Sequence, residues 1–349
     1  MTQMQAKLLK WYDENKRELP WRDSPSPYQV WISEIILQQT RVNQGYDYYM
    51  RFIGKWPTVT DLAQASEEEV LKMWQGLGYY SRARNLHRCA KQIVEQYDGV
   101  FPSDFEALKK LQGIGPYTAA AIASIAFNQP CAVVDGNVYR VLSRLFDIDT
   151  PININEGQRL FAQLADTMLN REQPGLHNQA MMEFGALHCI PKNPDCTNCV
   201  LQEHCLAAAH GTVAERPVKL DKVKVSTRHF NYLVIKANGG IYLHKRSSND
   251  IWKNLYDFPL IESKEALTVE QVIKSDEFRQ IVGDNDFTIG KISPTYTHKL
   301  THQTIIAQFI EIKLSAEMCD IQTNNLFLAH EKDVEQYPIP RLIDLYLNN

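Results

Sequence analysis

Residues 108–122, LKKLQGIGPYTAAAI, decide the fold of the first part of this 349-residue chain. One helix is predicted to end at Gly113, and a second to begin with Pro116, whose missing N–H costs nothing in a first helical turn. Gly113 and Gly115 let the turn between them approach a ligand closely. The free N–H groups that start the second helix suit a phosphate, whatever the nucleotide sequence. The stretch predicts a helix-hairpin-helix phosphate clamp; a plain helix–helix connection is the alternative.

Outward from this hairpin, the chain divides into a helical part, a polar linker and an α+β part. Residues 1–210 have apolar residues at three- and four-residue spacing, interrupted by glycine and proline. Residues 211–227 are polar and lack any period. Residues 228–349 contain β-rich runs, the first around an Asn-Gly-Gly turn at 238–240, and a helical segment at 265–282. We therefore predict a multidomain protein with an all-α domain, a linker and an α+β domain.

Composition limits the function classes. Hydrophobic residues make up 44% and charged residues 22% of the chain, which excludes general disorder and fibrous structure. With a net charge of −4, binding to nucleic acid has to rest on a local patch, such as the acid-free stretch YYSRARNLHRCAK at 79–91. No apolar run reaches the roughly 20 residues that span a bilayer, and residues 1–10 carry no export signal. We expect a cytoplasmic protein without a membrane partner, monomeric by default.

Four cysteines are clustered in the helical part. Cys189, Cys196, Cys199 and Cys205 have the spacing Cys-x6-Cys-x2-Cys-x5-Cys, in a loop kept compact by prolines. Four soft thiolates so close together suit either tetrahedral zinc or a 4Fe–4S cluster. The spacing indicates a metal centre and leaves the choice between these two open.

Two carboxylates are candidates for chemistry. Asp135 follows an apolar run and precedes Gly136 and Asn137 at the start of a predicted helix, where it also suits a simple helix cap worth about 1 kcal/mol. Glu34 lies in VWISEIILQQT (30–40), among apolar residues at helical spacing. A carboxyl group buried in such company has a raised pKa, as a general acid requires. The alternative for Glu34 is an exposed position on the helix.

Several segments occur in a defined order: LPWR (19–22), WISEIILQQT (31–40), QGLGYYSRARNLH (75–87), GIGPYTAAAI (113–122), VVDGNVYRVLSR (133–144), NQAMMEFGALHC (178–189) and the four-cysteine loop. This set, covering about residues 5–207, resembles the adenine DNA glycosylase family (MutY type) of the helix-hairpin-helix DNA glycosylases. The resemblance implies base excision repair: hydrolysis of adenine mispaired with 8-oxoguanine or guanine in double-stranded DNA. It also implies that the four cysteines hold one 4Fe–4S cluster.

The resemblance implies a role for each of four residues. Glu34 protonates the adenine ring so that it leaves as a neutral base, and Asp135 stabilises the sugar cation or bonds to it transiently, as in other glycoside hydrolyses. Tyr117 and Asn137 lie beside them and order the water and Asp135.

By motif position, further residues are expected to contact DNA. The adenine has to leave the base stack, and the residues expected to line its pocket are Leu19, Trp21, Arg22, Val42 and Gln179. The residues expected to wedge into the duplex around the opposite base are Gln39, Thr40, Leu77 and Tyr79. Gly113 and Gly115 are expected to bind the DNA backbone. Each of these residues, taken alone, is also compatible with the protein core.

Residues 228–345 resemble, more loosely, the Nudix-like domain of adenine glycosylases, best in RSSNDIWKNLYDFP (246–259). The Glu-rich helix with which a Nudix hydrolase holds magnesium has no match in 260–290, so this domain is expected to bind and not to hydrolyse. In the family, an aromatic-Ser-His tripeptide reads 8-oxoguanine. The matching segment here is THKLTHQTII (297–306), so Thr301 and His302 are expected to recognise the lesion, with Leu300 in place of the aromatic residue.

Two other functions remain open. The first is an endonuclease III-type glycosylase and lyase on oxidised pyrimidines; that family has a lysine at the position of Tyr117 and lacks the second domain. The second is a non-catalytic DNA-binding or redox-sensing module held together by a metal. Such a module needs neither Glu34 nor Asp135.

Overall fold

The computed structural model describes residues 1–22, 25–220, 225–315 and 326–348. Residues 221–224 of the predicted linker lie outside this part of the chain. The chain forms two compact units: residues 1–64 and 85–221 make up the first, and residues 65–84 and 222–349 make up the second. Among the described residues, no helix is long and apolar enough to cross a membrane.

The first unit is helical. Its helices are α1 (Gln3–Asn15), α2 (Pro27–Leu37), α3 (Val42–Lys55), α4 (Val59–Gln64), most of α6 (Ser81–Tyr97), α7 (Phe105–Lys109), α8 (Pro116–Phe127), α9 (Gly136–Leu145), α10 (Asn155–Met168), α11 (Pro174–Leu187) and α12 (Leu206–His210); α5 (Glu67–Met73) belongs to the second unit. Trp11, Phe161 and Phe184 are buried together where α1, α10 and α11 meet α9. This core supports the start of α9.

The hairpin between α7 and α8 has the predicted form. Gly113 has a φ of +77°, and a Cβ there would lie 2.7 Å from the Cβ of Asn85, so both the backbone conformation and the space require glycine. Gly115 precedes α8 in extended backbone, with no atom within 4 Å of where its Cβ would be. Pro116 then occupies the first turn of α8.

The local sequence explains how α2 begins and how α11 approaches α9. Ser26 caps α2 in a capping box with Gln29, and Pro27 starts the helix. Gly185 on α11 lies so close to α9 that a Cβ would come within 2.6 Å of the Cβ of Asn137. The glycine therefore allows these two helices to bring their side chains into one site.

The second unit is built around a mixed sheet. Its strands are β1 (Ser226–Ala237), β2 (Gly240–Lys245), β3 (Tyr256–Asp257), β4 (Leu260–Ser263), β5 (Phe287–Ile292), β6 (Tyr296–Lys299), β7 (Gln303–Leu314) and β8 (Leu326–His330), with helices α13 (Val269–Lys274), α14 (Asp276–Val282) and α15 (Arg341–Leu347). The central strand order is β3-β2-β1-β7-β5; β4 also pairs with β1, β6 with β7 and β8 with β2. β1 and β7 are parallel, with Ser226 opposite Gln303. Leu233 and Ile310 of the sheet pack with Val272 and Phe278 of α13 and α14.

The predicted fold class, a helical helix-hairpin-helix domain followed by an α+β domain, is confirmed. β1 and β2 form the hairpin expected around the Asn-Gly-Gly turn, with Ala237 opposite Gly240. The helical segment predicted at 265–282 is two short helices, because Ser275 ends α13 and caps α14.

Residues 65–84 differ from the sequence-based division, which includes them in the domain 1–210. In the structure they pack with the second unit. Glu68 accepts a hydrogen bond from the hydroxyl of Tyr256 (2.9 Å), and the ammonium of Lys72 donates to the carbonyl of Tyr337 (3.2 Å). Such contacts between distant segments have no signature in the local sequence pattern.

Candidate active site

Glu34 lies on α2, next to the buried residues Ser33 and Ile35, and is itself half-buried. Burial raises the pKa of Glu34 from 4.5 to about 7, and the negative charge of Asp135 adds to the rise. A hydrogen bond from Tyr117 and the positive charge of Arg22 oppose it. The environment therefore favours a carboxyl group that is still partly protonated at neutral pH, as the sequence predicts for a general acid.

Tyr117 is placed by the hairpin, as the second residue of α8. Its hydroxyl donates a hydrogen bond to Oε2 of Glu34 and lies 3.7 Å from the sulfur of Met182. Burial raises the pKa of Tyr117 well above its usual value, and the nearby carboxylates add to this. Tyr117 is therefore a neutral donor that holds the Glu34 carboxyl group in one orientation.

Asp135 is the N-cap of α9, as the sequence pattern allows, and it also lines the cleft. Its carboxylate accepts hydrogen bonds from the backbone N–H of Val138 (2.7 Å) and from Nδ2 of Asn137 (2.8 Å). Burial raises the pKa of Asp135, and these bonds and the charge of Arg140 offset part of the rise. Glu34 and Asp135 differ in their hydrogen bonds: Asp135 accepts from two N–H donors that favour its carboxylate form, whereas Glu34 accepts from the Tyr117 hydroxyl.

Both groups open into one cleft of about 840 Å³. The residues predicted to form the adenine pocket all line it: Leu19, Trp21, Arg22, Val42 and Gln179. So do Tyr117, Asn137, and the predicted wedge residues Gln39 and Thr40. Gln39, exposed and at a φ of +57°, lies in the turn between α2 and α3. The volume is within the range of pockets that enclose a small molecule or a single nucleobase.

Arg17 and Glu183 also line the cleft and were not predicted. Glu183 accepts hydrogen bonds from the guanidinium groups of Arg17 and Arg22, each with a closest contact of 2.7 Å. One turn before it on α11, Gln179 accepts a hydrogen bond from the hydroxyl of Tyr12 (2.7 Å). The four-residue spacing of Gln179 and Glu183 puts them on one helix face, a signal that could have identified Glu183 from the sequence.

Helix α9 connects the cleft with the cysteine loop. Nη2 of Arg140 donates to Oδ1 of Asn137 (2.8 Å), and its Nε donates to the carbonyl oxygen of Cys189 (2.7 Å). One turn further, Nη1 of Arg144 donates to Sγ of Cys189 (3.4 Å) and to the carbonyl of Ile190 (2.8 Å). The loop and the cleft are therefore held by one helix.

The four predicted metal ligands, Cys189, Cys196, Cys199 and Cys205, line one small cavity together with Arg144. In the described part of the chain, no three His, Cys, Asp or Glu side chains are grouped as the ligands of a single metal ion. Four sulfurs around one cavity are the soft ligand type that zinc and iron–sulfur clusters share, and the guanidinium of Arg144 beside them offsets thiolate charge.

Gly113 and Gly115 lie in the hairpin of the first unit, and the remaining predicted DNA contacts lie in the second unit. Tyr79 is 48% exposed and its hydroxyl is hydrogen-bonded to that of Thr301 (2.6 Å). Thr301 and His302 are exposed in the turn between β6 and β7. Leu77, expected to enter the duplex, is only 7% exposed. Of these two predicted wedge residues, Tyr79 is therefore accessible in the unbound protein and Leu77 is not.

The basic residues of the stretch 79–91 are of two kinds: one packs against the Tyr79 turn and others are exposed to solvent. The guanidinium of Arg82 lies over the rings of Trp74 (5.2 Å) and Tyr79 (5.6 Å) and donates to the carbonyl of Gly78 (3.3 Å). It supports the Tyr79 turn. Arg88 and Lys91 are exposed on α6.

Comparison with known proteins agrees with this architecture. The model of the HhH-GPD superfamily of base excision DNA repair proteins matches residues 32–164, and that of the NUDIX domain matches residues 231–349. A solved thermostable thymine-DNA glycosylase is 28% identical, with a TM-score of 0.55, over 59% of this chain and 95% of that one. A trapped endonuclease III–DNA covalent intermediate shares the fold at 24% identity and a TM-score of 0.52, over 59% of this chain and 94% of that one. The fold and the cleft define a helix-hairpin-helix DNA N-glycosylase, a hydrolase of base excision repair.

Similarity to curated relatives identifies the family within this class of glycosylases. The adenine DNA glycosylase of Buchnera aphidicola (strain Bp) is 33% identical over 303 residues, covering 85% of this chain and 82% of that protein. The adenine DNA glycosylase of Homo sapiens is 46% identical over 217 residues, covering 59% of this chain and 40% of that protein. The chain belongs to the adenine DNA glycosylase family.

Proposed function

We propose that this protein hydrolyses the N-glycosidic bond of adenine mispaired with 8-oxoguanine or guanine in duplex DNA. The observation that carries the proposal is the pairing of Glu34 with Tyr117 beside Asp135 in one cleft. Glycosidic hydrolysis needs such a pair, because one carboxyl group protonates the leaving group while the other faces an oxocarbenium-like transition state.

In this mechanism, adenine leaves the base stack and enters the cleft, at a cost of a few kcal/mol. Glu34 transfers its proton to the adenine ring, so that the base leaves as a neutral molecule; such catalysis is typically worth about 10²–10⁴-fold. Asp135, held by Val138 N–H and Asn137, stabilises the positive charge on the sugar. Water then completes the hydrolysis.

The product is an abasic site on an intact strand. Strand cleavage by bifunctional glycosylases requires an amine that forms a Schiff base with the sugar. Tyr117, which lies against Glu34, offers only a hydroxyl group. The match of residues 231–349 to the NUDIX domain also argues against an endonuclease III-type enzyme, which lacks such a domain.

Duplex DNA is the proposed partner, and each unit has a proposed role. In the first unit, the hairpin of Gly113 and Gly115 presents the free N–H groups of α8 to a phosphate. In the second unit, Tyr79 wedges into the duplex while Thr301 and His302 read the base opposite adenine. The second unit binds and does not hydrolyse, because residues 260–290 lack the Glu-rich Nudix helix.

We also propose that Cys189, Cys196, Cys199 and Cys205 hold a 4Fe–4S cluster. The four cysteines share one cavity, and the membership of the chain in the adenine DNA glycosylase family favours a cluster over zinc. When bound, the cluster cross-links the loop and carries redox-capable iron. Arg144 offsets the thiolate charge. The six cysteines in the described part of the chain form no disulfide, which is usual in a reducing compartment, so we propose a cytoplasmic location.

One assay tests this function. Purified protein is incubated with duplexes containing A:8-oxoguanine, A:G, A:T or thymine glycol, with and without alkali after the reaction. Excision from the first two, with strand breaks only after alkali, is the expected result. Cleavage of the thymine glycol duplex without alkali would establish the endonuclease III-type alternative, and binding without excision would establish the non-catalytic one.

A further inference from the structure

One charged cluster of the cleft has no role in the mechanism above. Glu183 on α11 has a side chain that is 1% exposed, yet it accepts five hydrogen bonds. Three come from the backbone N–H, Nε and Nη2 of Arg17, and two come from the guanidinium of Arg22. Arg17 and Arg22 belong to the segment between α1 and α2. A buried carboxylate therefore fixes this segment as a wall of the cleft.

Arg22 links this cluster electrostatically to the proposed general acid, Glu34. Burial alone would raise the pKa of Glu183, but the hydrogen bonds from Arg17 and Arg22 lower it to about 2. Glu183 is therefore ionised throughout the working range, and two guanidinium charges against one carboxylate leave a net charge of +1. Arg22 faces Glu34 and its positive charge disfavours the protonated carboxyl group.

We infer that Glu183 is a positioning residue for the reaction: it holds Arg17 and Arg22 in the cleft wall and, by offsetting their charge, keeps Glu34 protonated near neutral pH. The inference rests on the proposed function, since it assumes that Glu34 is the acid. Without this carboxylate, the same arginines that shape the pocket would favour ionised Glu34 and remove the proton that the reaction needs.

The other charged groups around Glu34 do not depend on Glu183. Tyr117 reaches Glu34 from α8 and Asp135 faces it from the start of α9. Arg140 acts on Asp135 and Asn137. A change of Glu183 to glutamine therefore preserves the shape of the side chain and removes its negative charge, together with the hydrogen bonds that one of the two carboxylate oxygens accepts.

The direction of the effect follows. Excision requires protonated Glu34, so the rate falls as pH rises through the pKa of Glu34. Glu183→Gln raises the net charge of the cluster from +1 to +2, which favours ionised Glu34. At the effective dielectric of a partly exposed site, one added charge shifts a neighbouring titration by about half to one pH unit. The falling limb of the pH–rate profile, where the rate decreases as pH rises, therefore moves to lower pH by that amount. The rate at pH 8 drops about 3- to 10-fold.

The experiment measures single-turnover excision from an A:8-oxoguanine duplex between pH 5 and 9. Glu183→Gln should move the limb to lower pH, and Arg17→Gln with Glu183→Gln should move it back, because the net charge returns to +1. Arg17→Gln alone should move it to higher pH. Asp166→Asn, which removes one charge from an exposed ion pair with Arg171, is the matched control and should leave the limb in place.

Equal losses at every pH, with no displacement of the limb in Glu183→Gln or Arg17→Gln, would overturn the inference and leave Glu183 a purely structural residue. If thermal melting shows that Glu183→Gln does not fold, the half-exposed Arg17→Gln decides alone, since an unmoved limb there overturns the inference. Isotope-edited infrared titration of Glu34 in DNA-free protein, with Glu34→Gln as the blank, tests the same displacement without activity. A wild type that excises no adenine therefore refutes the proposed function separately.

Discussion

The hydroxyl groups of Tyr79 and Thr301, which are 222 positions apart in the chain, form a hydrogen bond of 2.6 Å. Tyr79 lies in the tight turn after α5, with a φ of +48°, and Thr301 lies in the turn between β6 and β7. The residue proposed to enter the duplex and a residue proposed to read the lesion are therefore one pair on the surface of the second unit. In the proposed complex, contact of either residue with DNA breaks or uses this bond, so the two proposed roles are coupled.

Replacement of this pair should change lesion preference and not chemistry. Thr301→Ala with His302→Ala is expected to weaken the preference for A:8-oxoguanine over A:G tenfold or more, because one or two hydrogen bonds to the base are worth about 1–3 kcal/mol. Tyr79→Phe keeps the aromatic ring against Arg82 and loses only the hydrogen bond to Thr301. We therefore expect the preference for A:8-oxoguanine over A:G to fall about threefold. Equilibrium binding and single-turnover rates on both duplexes measure these effects.

Thr297→Ala is the matched control, because Thr297 is an exposed threonine on the same hairpin. It should behave as the wild type. Equal losses on both duplexes in the Thr301 and His302 variant, or none on either, would assign lesion reading to another part of the chain.

Glu34→Gln should abolish adenine excision while DNA binding persists, because the amide keeps the shape and has no proton to transfer. Quench assays and gel-shift titrations measure the two properties. Excision within tenfold of the wild type would exclude Glu34 as the acid.

The same substitution should stabilise the fold at high pH. The folded protein holds the pKa of Glu34 at about 7, above its ordinary value of 4.5, so folding favours the protonated form. Between these pH values the wild type loses stability as pH rises, and above pH 7 the folded state carries a costly buried charge. Glu34→Gln is expected to be more stable than the wild type by about 1–3 kcal/mol at pH 8, and no more stable at pH 4. Denaturant unfolding at both pH values provides the measurement; a pH-independent difference would contradict the raised pKa.

Asp135→Asn should reduce excision by several orders of magnitude without loss of folding. Asparagine caps a helix as well as aspartate does, so α9 should still begin at Gly136. What disappears is the negative charge opposite the sugar cation, worth roughly 4 kcal/mol at about 4 Å in an effective dielectric near 20. Asp104→Asn, which changes the cap of α7 in the same way, should retain full activity. Similar rates in the two variants would show that Asp135 is only a cap.

Tyr117 should not form a covalent adduct with DNA. Borohydride in the wild-type reaction is expected to trap no enzyme–DNA complex, since no Schiff base forms. Tyr117→Lys is the informative converse, because an amine at this position could acquire weak strand cleavage. Efficient trapping by the wild type would contradict a purely hydrolytic mechanism.

Cys199→Ser should give a colourless and poorly soluble protein. Thiolate–metal bonds close the loop from Cys189 to Cys205, and serine is a poor ligand for iron. Cys131→Ser is the control, because Cys131 lies outside the loop. Absorbance near 400 nm and iron and zinc content decide the case: a wild type that contains zinc and lacks the band would overturn the proposed cluster.

Most of the cleft was predictable because its members belong to short local motifs. Asp135 and Asn137 are two residues apart at one helix start, and Tyr117 follows the hairpin by two residues. Glu183 was missed although it lies one turn after Gln179, because a glutamate within a helical pattern is usually a solvated residue. Only its burial against Arg17 and Arg22 distinguishes it.

The amino-acid sequence by itself determined the two-part fold class, the hairpin at Gly113, the β1–β2 turn and the clustering of four cysteines, because glycine, proline and apolar spacing act through contacts between near neighbours. The tertiary structure alone decided that residues 65–84 pack with the second unit, that Tyr79 bonds to Thr301, that Leu77 is buried, and that Arg17 and Arg22 share one buried carboxylate. These relationships join segments far apart in the chain. Their stability comes from desolvation and pairing in the folded state, and neither exists before the distant segments meet.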